Sequence, residues 1–356
     1  MAGGTGGHVI PGLEIAKTLI RDNYQVAWLG TKWGLEYTLV PRQEIALYCL
    51  PVWGVRGKKL WDKFLSPLRI LISIIYSIYI LIKFKPNFVL GMGGYASGPG
   101  GIAAWLLRIP LIIHEQNAVF GMTNNILQKF SKKVLVSFPG LINNQTNNSV
   151  AFTGNPVRKE ILELANPEER WQQRVGSLKV LVLGGSRGAL ALNSTIPNAI
   201  AKLPVSQRPE IWHQSGADHY QATIDNYNKL GLKVKVDSFI SNMAEAYAWA
   251  DLVIARAGAL TISELSAAGL PALLIPYPHA TDDHQKLNAN FLVQNNAALM
   301  LEQKDLSIDA LSETLLKLIN SRPELLKMAI SARNLCNGDA TNNIIKHCQE
   351  AVDATY

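Results

Sequence analysis

Four glycine-rich turns punctuate the chain: Gly3 to Gly7 (GGTGG), Gly91 to Gly101 (GMGGYASGPGG), Gly184 to Ala189 (GGSRGA) and Arg256 to Leu260 (RAGAL). A turn of this kind between a strand and a helix leaves backbone N–H groups open at the positive end of the helix dipole, where a phosphate binds. One such turn is weak evidence, because any tight turn uses glycine to reach positive φ. Four, spread over both halves, point to an anionic ligand. None has G-x-G-x-x-G spacing with an acidic residue about 20 positions on, and no G-x-x-x-x-G-K-[ST] loop occurs. A dinucleotide dehydrogenase and an ordinary nucleoside triphosphatase are therefore disfavoured.

Other residues able to do chemistry cluster near these turns. His8, next to the first, suits either a structural histidine or a general base. HEQNA, His114 to Ala118, ends a strand at the carboxyl edge where polar side chains meet ligands, and Asn117 equally suits turn chemistry. In DLVIARAGALTISELSAAGLP, Asp251 to Ala255 read as a strand and Ala259 to Ala268 as a helix whose first N–H groups can hold a diphosphate. On spacing alone Thr261 and Glu264 form a capping box, with Glu264 folded back on the helix start. The alternative is a carboxylate that accepts both ribose hydroxyls of a nucleotide. His279, Asp282, Asp283, His284 and Gln285 crowd together in PHATDDHQKLNA. Their types fit a metal site, but their position fits better an N-cap by Thr281 or Asp282. No Asp-x-Asp occurs anywhere, which weakens a Mg²⁺-dependent sugar transfer and favours stabilisation by helix dipole and Arg.

Positioning these residues calls for a particular architecture. The apolar runs QVAWLG, NFVLGMGG, PLIIHE and KKVLVSF, then KVLVLGG, EIWHQSG, VKVDSF, DLVIARAG and PALLIP, each end in glycine or a polar cluster and lead into helical periodicity. That alternation predicts an α/β fold of buried parallel strands with binding crevices at their carboxyl ends. A first helix is expected to start near Pro11. The pattern restarts after the polar stretch LANPEERWQQRVGS, so residues Asn155 to Ser177 read as a seam between two Rossmann-like halves, with the crevice between them as the default ligand site. Ile142 to Ser149, rich in Asn, read as a surface loop.

At 356 residues, 48% hydrophobic and 17% charged, the chain suits two packed domains and is not a disordered one. Thirty-four Lys and Arg against 27 Asp and Glu give +7, which favours an anionic partner. Nucleic acid, membrane surface and nucleotide diphosphate all fit that charge. Cys49, Cys336 and Cys348 lack metal-ligand spacing and argue against a disulfide framework and a zinc site. In PLRILISIIYSIYILIKFKP the uninterrupted apolar part, Ile70 to Ile82, is about 13 residues, short of the roughly 18 to 20 needed to span a bilayer. Lys58, Lys59, Lys63 and Arg69 precede it while Lys83 and Lys85 follow. It reads either as a buried crossover helix or as a helix lying on an anionic membrane.

GGTGGHVIPGLEIA, GMGGYASGPGGIAAW, HEQN, GNPVR, VLGGSRGA, IWHQSG and AYAWADLVIARAGALTISELSAAGLPALLIPYPHATDDHQKLNA, in this order over nearly the whole chain, resemble the MurG family of N-acetylglucosaminyltransferases of peptidoglycan synthesis. The resemblance implies a GT-B fold, two Rossmann-like domains with parallel sheets facing a central cleft. Residues 1–157 would form the acceptor and membrane side and 158–335 the UDP-N-acetylglucosamine (UDP-GlcNAc) side, with 336–356 a helix returning to the first domain. It implies an inverting transfer from UDP-GlcNAc to the 4-hydroxyl of N-acetylmuramic acid (MurNAc) in undecaprenyl-pyrophosphoryl-MurNAc-pentapeptide, giving a β-1,4 bond. The work would be done peripherally at the cytoplasmic face of the inner membrane, docked through region 58–85, with no cofactor, metal or nucleic acid.

Carried over residue by residue, the resemblance assigns UDP-GlcNAc contacts to Thr5, Gly6, Gly7, Asn117, Arg158, Ser186, Ile240, Ala259, Leu260, Thr261, Ile262, Ser263, Glu264 and Gln285. Glu264 then holds the ribose, which displaces the capping-box reading. Ala259 to Thr261 meet the phosphates, Gln285 and Asn117 read the sugar hydroxyls, and the Ile240 backbone lies near uracil. His8 resembles the family's candidate base or diphosphate-side group. The chain departs from the family pattern in three places. Arg187 stands where Gln is common, Ala118 replaces a Gly after HEQN, and the apolar strand expected before the first glycine loop is absent. The last departure leads to the expectation that the true start lies upstream of Met1, or that other residues cover the gap. Rival readings are another sugar-nucleotide enzyme of this fold, such as a glycolipid galactosyltransferase or a UDP-GlcNAc epimerase, and an inactive membrane-surface binder of UDP-sugars.

Overall fold

The computed structural model describes residues 1–52, 66–142, 150–185 and 188–353. Lys58, Lys59, Lys63, Ser186, Arg187 and nearly all of the Asn-rich loop lie outside them. The chain divides into two compact units, Met1–Val157 with Asp339–Tyr356, and Arg158–Gly338.

The first unit opens with α1 (Gly6–Arg21), β1 (Ala27–Gly30), α2 (Glu36–Leu39), β2 (Ala46–Cys49) and α3 (Ser66–Phe84). It continues with β3 (Val89–Gly91), α4 (Ser97–Leu106), β4 (Leu111–Glu115), α5 (Met122–Leu127), β5 (Lys133–Val136) and β6 (Val150–Phe152). α1 starts at Gly6, so Pro11 falls inside the helix instead of at its start. The ring lacks the N–H that would reach the Gly7 carbonyl, so the helix loses one of its bonds there. All strands are parallel, in two separate sheets: β1 beside β2, and β3-β4-β5-β6.

Met1 and Ala2 lie beside β3. The Met1 amine donates to the Leu90 carbonyl (2.7 Å), the Met92 N–H to the Met1 carbonyl (2.8 Å), and the Trp28 indole to the Ala2 carbonyl (2.9 Å). A cavity of about 390 Å³ lies in the same unit, lined by Ile15, Leu19, Val26, Leu29, Phe84 and Phe88, among others.

The second unit contains α6 (Lys159–Leu162), α7 (Pro167–Gln172), β7 (Lys179–Leu183), α8 (Leu190–Lys202), β8 (Glu210–Gln214), α9 (Tyr220–Lys229), β9 (Lys235–Asp237) and α10 (Met243–Trp249). After these come β10 (Leu252–Ala255), α11 (Ala259–Ala268), β11 (Ala272–Leu274), α12 (His284–Val293), β12 (Ala298–Met300), α13 (Ile308–Ile319) and α14 (Arg322–Asn334). Its six parallel strands run β12-β11-β10-β7-β8-β9. Strand order reverses between β7 and β10, and ligands of such sheets bind outside the carboxyl ends at that point. Both strands run straight into a glycine turn. The last helix, α15 (Ala340–Asp353), returns to the first unit, where Ile344, Ile345 and Cys348 share a core with Val9, Leu13 and Ala16 of α1.

α3 inverts the usual pattern of a surface helix. Ser73 and Ser77 are buried with Ile80 and Leu81, while Leu68, Leu71, Ile75, Tyr79 and Ile82 are all more than half exposed. The two serines give a narrow face on which α3 packs along α4, and the Ser77 hydroxyl donates to its own helix at the Ser73 carbonyl (2.7 Å). The helix has 19 residues, six more than its apolar part, because it also takes in Ser66 to Arg69 at one end and Lys83 and Phe84 at the other. By length and composition alone it could cross a membrane.

Candidate functional site

In the first unit, His8 sits in the first turn of α1 behind Thr5, which is exposed, has extended backbone and makes no side-chain cap bond. The first N–H groups of any helix lack intrahelical partners, so Gly6 and Gly7 present uncapped donors beside His8. The loop before them is pinned by Glu36, which is fully buried and accepts from the Gly4 N–H (2.9 Å), the Thr31 N–H (2.9 Å) and the Thr31 hydroxyl (2.6 Å). Gly3 and Gly34 press on that carboxylate: a Cβ at either would come within 2.9 Å or 2.0 Å of its oxygens. Sequence reasoning passed over Glu36, since nothing local marks a lone Glu between Leu35 and Tyr37 as the anchor of a loop 32 residues away.

The HEQN turn closes on the same place. His8 Nδ1 lies 2.7 Å from Gln116 Oε1. Asn117, expected to read a sugar hydroxyl, is held by Glu115, which accepts from its N–H (3.0 Å) and its amide (3.2 Å). Glu115 also accepts from the Gly121 N–H and Asn124, so the turn at Ala118 is braced by one buried carboxylate.

In the second unit, α11 begins at Ala259 behind Gly258, again with no side-chain cap. Thr261 lies within that first turn and is not the N-cap, so the capping box read from spacing does not form. Glu264 points elsewhere: Oε1 pairs with Arg158 at 2.8 Å and Oε2 accepts from the Tyr247 hydroxyl at 3.0 Å. Burial pushes the Glu264 carboxyl above its ordinary value, opposed by the Arg158 charge and both hydrogen bonds. Each carboxylate oxygen keeps a second lone pair for a ligand hydroxyl. Tyr247 carries no sequence signal; only the packing of α10 brings it here.

The other expected contacts are placed as follows. The α11 residues Ala259 and Ile262 are buried, Leu260, Thr261 and Ser263 half-buried, and the Ser263 hydroxyl donates to the Ala259 carbonyl. The buried Ile240 gives its N–H to Gln214 Oε1 (3.0 Å), so its own carbonyl is the backbone group left for a base. Gln285 Oε1 accepts from the Tyr277 N–H (2.9 Å), which leaves its amide hydrogens for a sugar. Ser186 is outside the described residues. The expected N-cap of α12 by Thr281 or Asp282 is not found: Asp283 holds that position, with left-handed backbone (φ 49°) and no cap bond. Among the described residues no three His, Cys, Asp or Glu side chains converge as a metal site would require.

Comparison with known proteins bears on the family and the fold. Residues 1–136 match the glycosyltransferase family 28 N-terminal domain and residues 179–347 its C-terminal domain. A Marinobacter nauticus protein named UDP-N-acetylglucosamine--N-acetylmuramyl-(pentapeptide) pyrophosphoryl-undecaprenol N-acetylglucosamine transferase is 46% identical, covering 99% of this chain and 97% of its own. A protein of the same name from Cupriavidus metallidurans is 47% identical, covering 98% and 96%. The crystal structure of Acinetobacter baumannii MurG superposes with a TM-score of 0.82 at 37% identity, covering 98% of both chains. A Neisseria meningitidis UDP-GlcNAc 2-epimerase shares only the fold, at 14% identity and TM-score 0.67. Two glycosyltransferase domains with parallel sheets in both make this a GT-B protein, and the chain belongs to glycosyltransferase family 28.

Proposed function

We propose that the protein transfers N-acetylglucosamine from UDP-GlcNAc to the 4-hydroxyl of the MurNAc residue in undecaprenyl-pyrophosphoryl-MurNAc-pentapeptide, with inversion to a β-1,4 bond. The observation that carries the reading is the near-full-length identity of 46–47% to transferases of that name. The residues described above fit its chemistry. The acceptor O–H bond breaks and its proton goes to His8. The freed oxygen pair bonds the anomeric carbon, and the bond to the β-phosphate breaks with its electrons leaving on UDP. Negative charge gathered on the diphosphate is met by the uncapped N–H groups of α11, worth most where water is excluded. Glu264, oriented by Arg158 and Tyr247, accepts the ribose hydroxyls; Thr5, Gly6, Gly7, Asn117, Ser186, Ile240 and Gln285 complete the donor contacts.

Access to a lipid-linked acceptor requires docking, which we assign to α3 on the cytoplasmic face of the inner membrane. Its outward Leu68, Leu71, Ile75, Tyr79 and Ile82 form an apolar stripe, and the flanking lysines at 58, 59, 63, 83 and 85 supply attraction to anionic lipid. Because its other face is spent on α4, the helix lies on the bilayer and does not cross it. The test is radiolabelled UDP-GlcNAc with the lipid-linked muramyl acceptor. Labelled product with release of UDP is expected, and His8→Gln should lower kcat by about 10² to 10⁴. Interconversion of free sugar nucleotides without transfer would overturn the assignment.

A further inference from the structure

The candidate base is one end of a hydrogen-bonded chain whose other members carry no role so far. His8 Nδ1 meets Gln116 Oε1 at 2.7 Å. Gln116 Nε2 lies 2.9 Å from His114 Nδ1 and 3.1 Å from the His114 carbonyl oxygen. His114 Nε2 lies 2.9 Å from the Gly154 carbonyl oxygen. His114 and Gln116 are 0% and 1% exposed, so water does not compete for these groups.

From the far end, each hydrogen follows in turn. A carbonyl only accepts, so His114 must carry a hydrogen on Nε2. Burial pulls its pKa down to about 4, with the His8 charge adding to the lowering, and the ring is neutral in ordinary buffers. Its Nδ1 is therefore a lone pair, which takes one Gln116 amide hydrogen while the His114 carbonyl takes the other. Turning the amide over would set its oxygen against a lone pair and a carbonyl oxygen about 3 Å away, with no hydrogen between them. Gln116 Oε1 thus faces His8, and it too can only accept. The His8 nitrogen opposite it must be the one bearing hydrogen.

We infer that Gln116 and His114 are positioning residues that hold His8 in the Nδ1–H tautomer, leaving Nε2 as the atom that takes the acceptor proton. The inference rests on the reading of His8 as the base. Protonated or neutral, His8 keeps the same bond to Gln116, so the proton enters and leaves at Nε2 without turning the ring. Gly93 gives the ring its seat: its backbone is left-handed (φ +91°), and a Cβ there would come within 3.1 Å of His8 Nδ1 and Cε1. The Asn124 amide steadies the far end by donating to the His114 carbonyl (3.0 Å).

Long-range ¹H–¹⁵N NMR of the [¹⁵N]histidine-labelled full chain in alkaline buffer tests this, with the His8 signals assigned by their loss in His8→Gln. Hydrogen on Nδ1 of the neutral His8 is expected. A ring with hydrogen on Nε2, or an even mixture, overturns the inference, and because the experiment uses the unsubstituted protein it stands whatever the variants do. In Gln116→Leu the tautomer bias should vanish and kcat should fall on the order of ten- to a hundredfold with the UDP-GlcNAc KM within about twofold. Retention of the Nδ1–H form in that variant also overturns it. If His8→Gln keeps full kcat, the base reading fails instead, whichever tautomer is seen.

Discussion

Glu264 shows how one side chain can look like two different things. In the chain its spacing from Thr261 matches a helix cap; in the fold it is a buried carboxylate shared between Arg158 and Tyr247. Hydrogen bonds to a charged group are worth about 1.5–3 kcal/mol, so Glu264→Ala should raise the UDP-GlcNAc KM roughly ten- to a hundredfold in steady-state assays. Tyr247→Phe keeps the ion pair and should raise it only a few-fold. An unchanged KM in the alanine variant would mean that the carboxylate serves the Arg158 pair alone.

Among the elements, the turn after β7 and the face of α3 are the most exposed to single substitutions. Gly188 has φ +75°, and a Cβ there would stand 1.9 Å from the Ser215 carbonyl oxygen. Gly188→Ala therefore combines left-handed strain with a backbone clash, and thermal unfolding should register a loss of about 2 kcal/mol or more. The α3 prediction is the opposite in kind, because Ile75 and Tyr79 are both more than half exposed and outside the core, Tyr79 stacking only on its helix neighbour Tyr76. Replacing both by Ser should leave the melting temperature within about a degree while costing on the order of 2 kcal/mol of partitioning into anionic vesicles, about thirtyfold. Vesicle binding unmoved by the double substitution would remove α3 from the membrane.

For the whole molecule, pH reports on both units through their buried histidines. Burial lowers His114 to about 4 and His213, which bonds Tyr227 and Asn193, to about 3. Unfolded, each returns to about 6.5, so between those values the unfolded chain binds more protons and stability falls as pH falls. Each histidine contributes stability that is fully present above about 6.5 and lost on acidification, on the order of 2 kcal/mol by pH 5. Urea unfolding at neutral pH and at pH 5 measures the loss, and His213→Phe should flatten the dependence for the second unit. Equal stability at both pH values would show that the two rings are not neutral and buried.

Much of this was legible in the chain itself, because the signals were local. Runs such as KVLVLGG and DLVIARAG announce buried parallel strands whose glycine turns open onto helices, and α11 begins at Ala259 as its segment reads. The edge strands β2, β6 and β12 escape a sequence reading, since ALYC, VAF and ALM are only three or four residues long and partly exposed, too short for a run to stand out. Sequence determined the alternation of elements and the motifs at their ends, because those depend on residues within a turn or two of one another. Only the tertiary structure decided that α3 buries its serines, that Glu36 pins a distant glycine loop, and that Tyr247 and Gln116 stand behind the reactive side chains. Those arrangements come from hydrogen bonds and packing between residues from 17 to 108 positions apart, a range that no local pattern encodes.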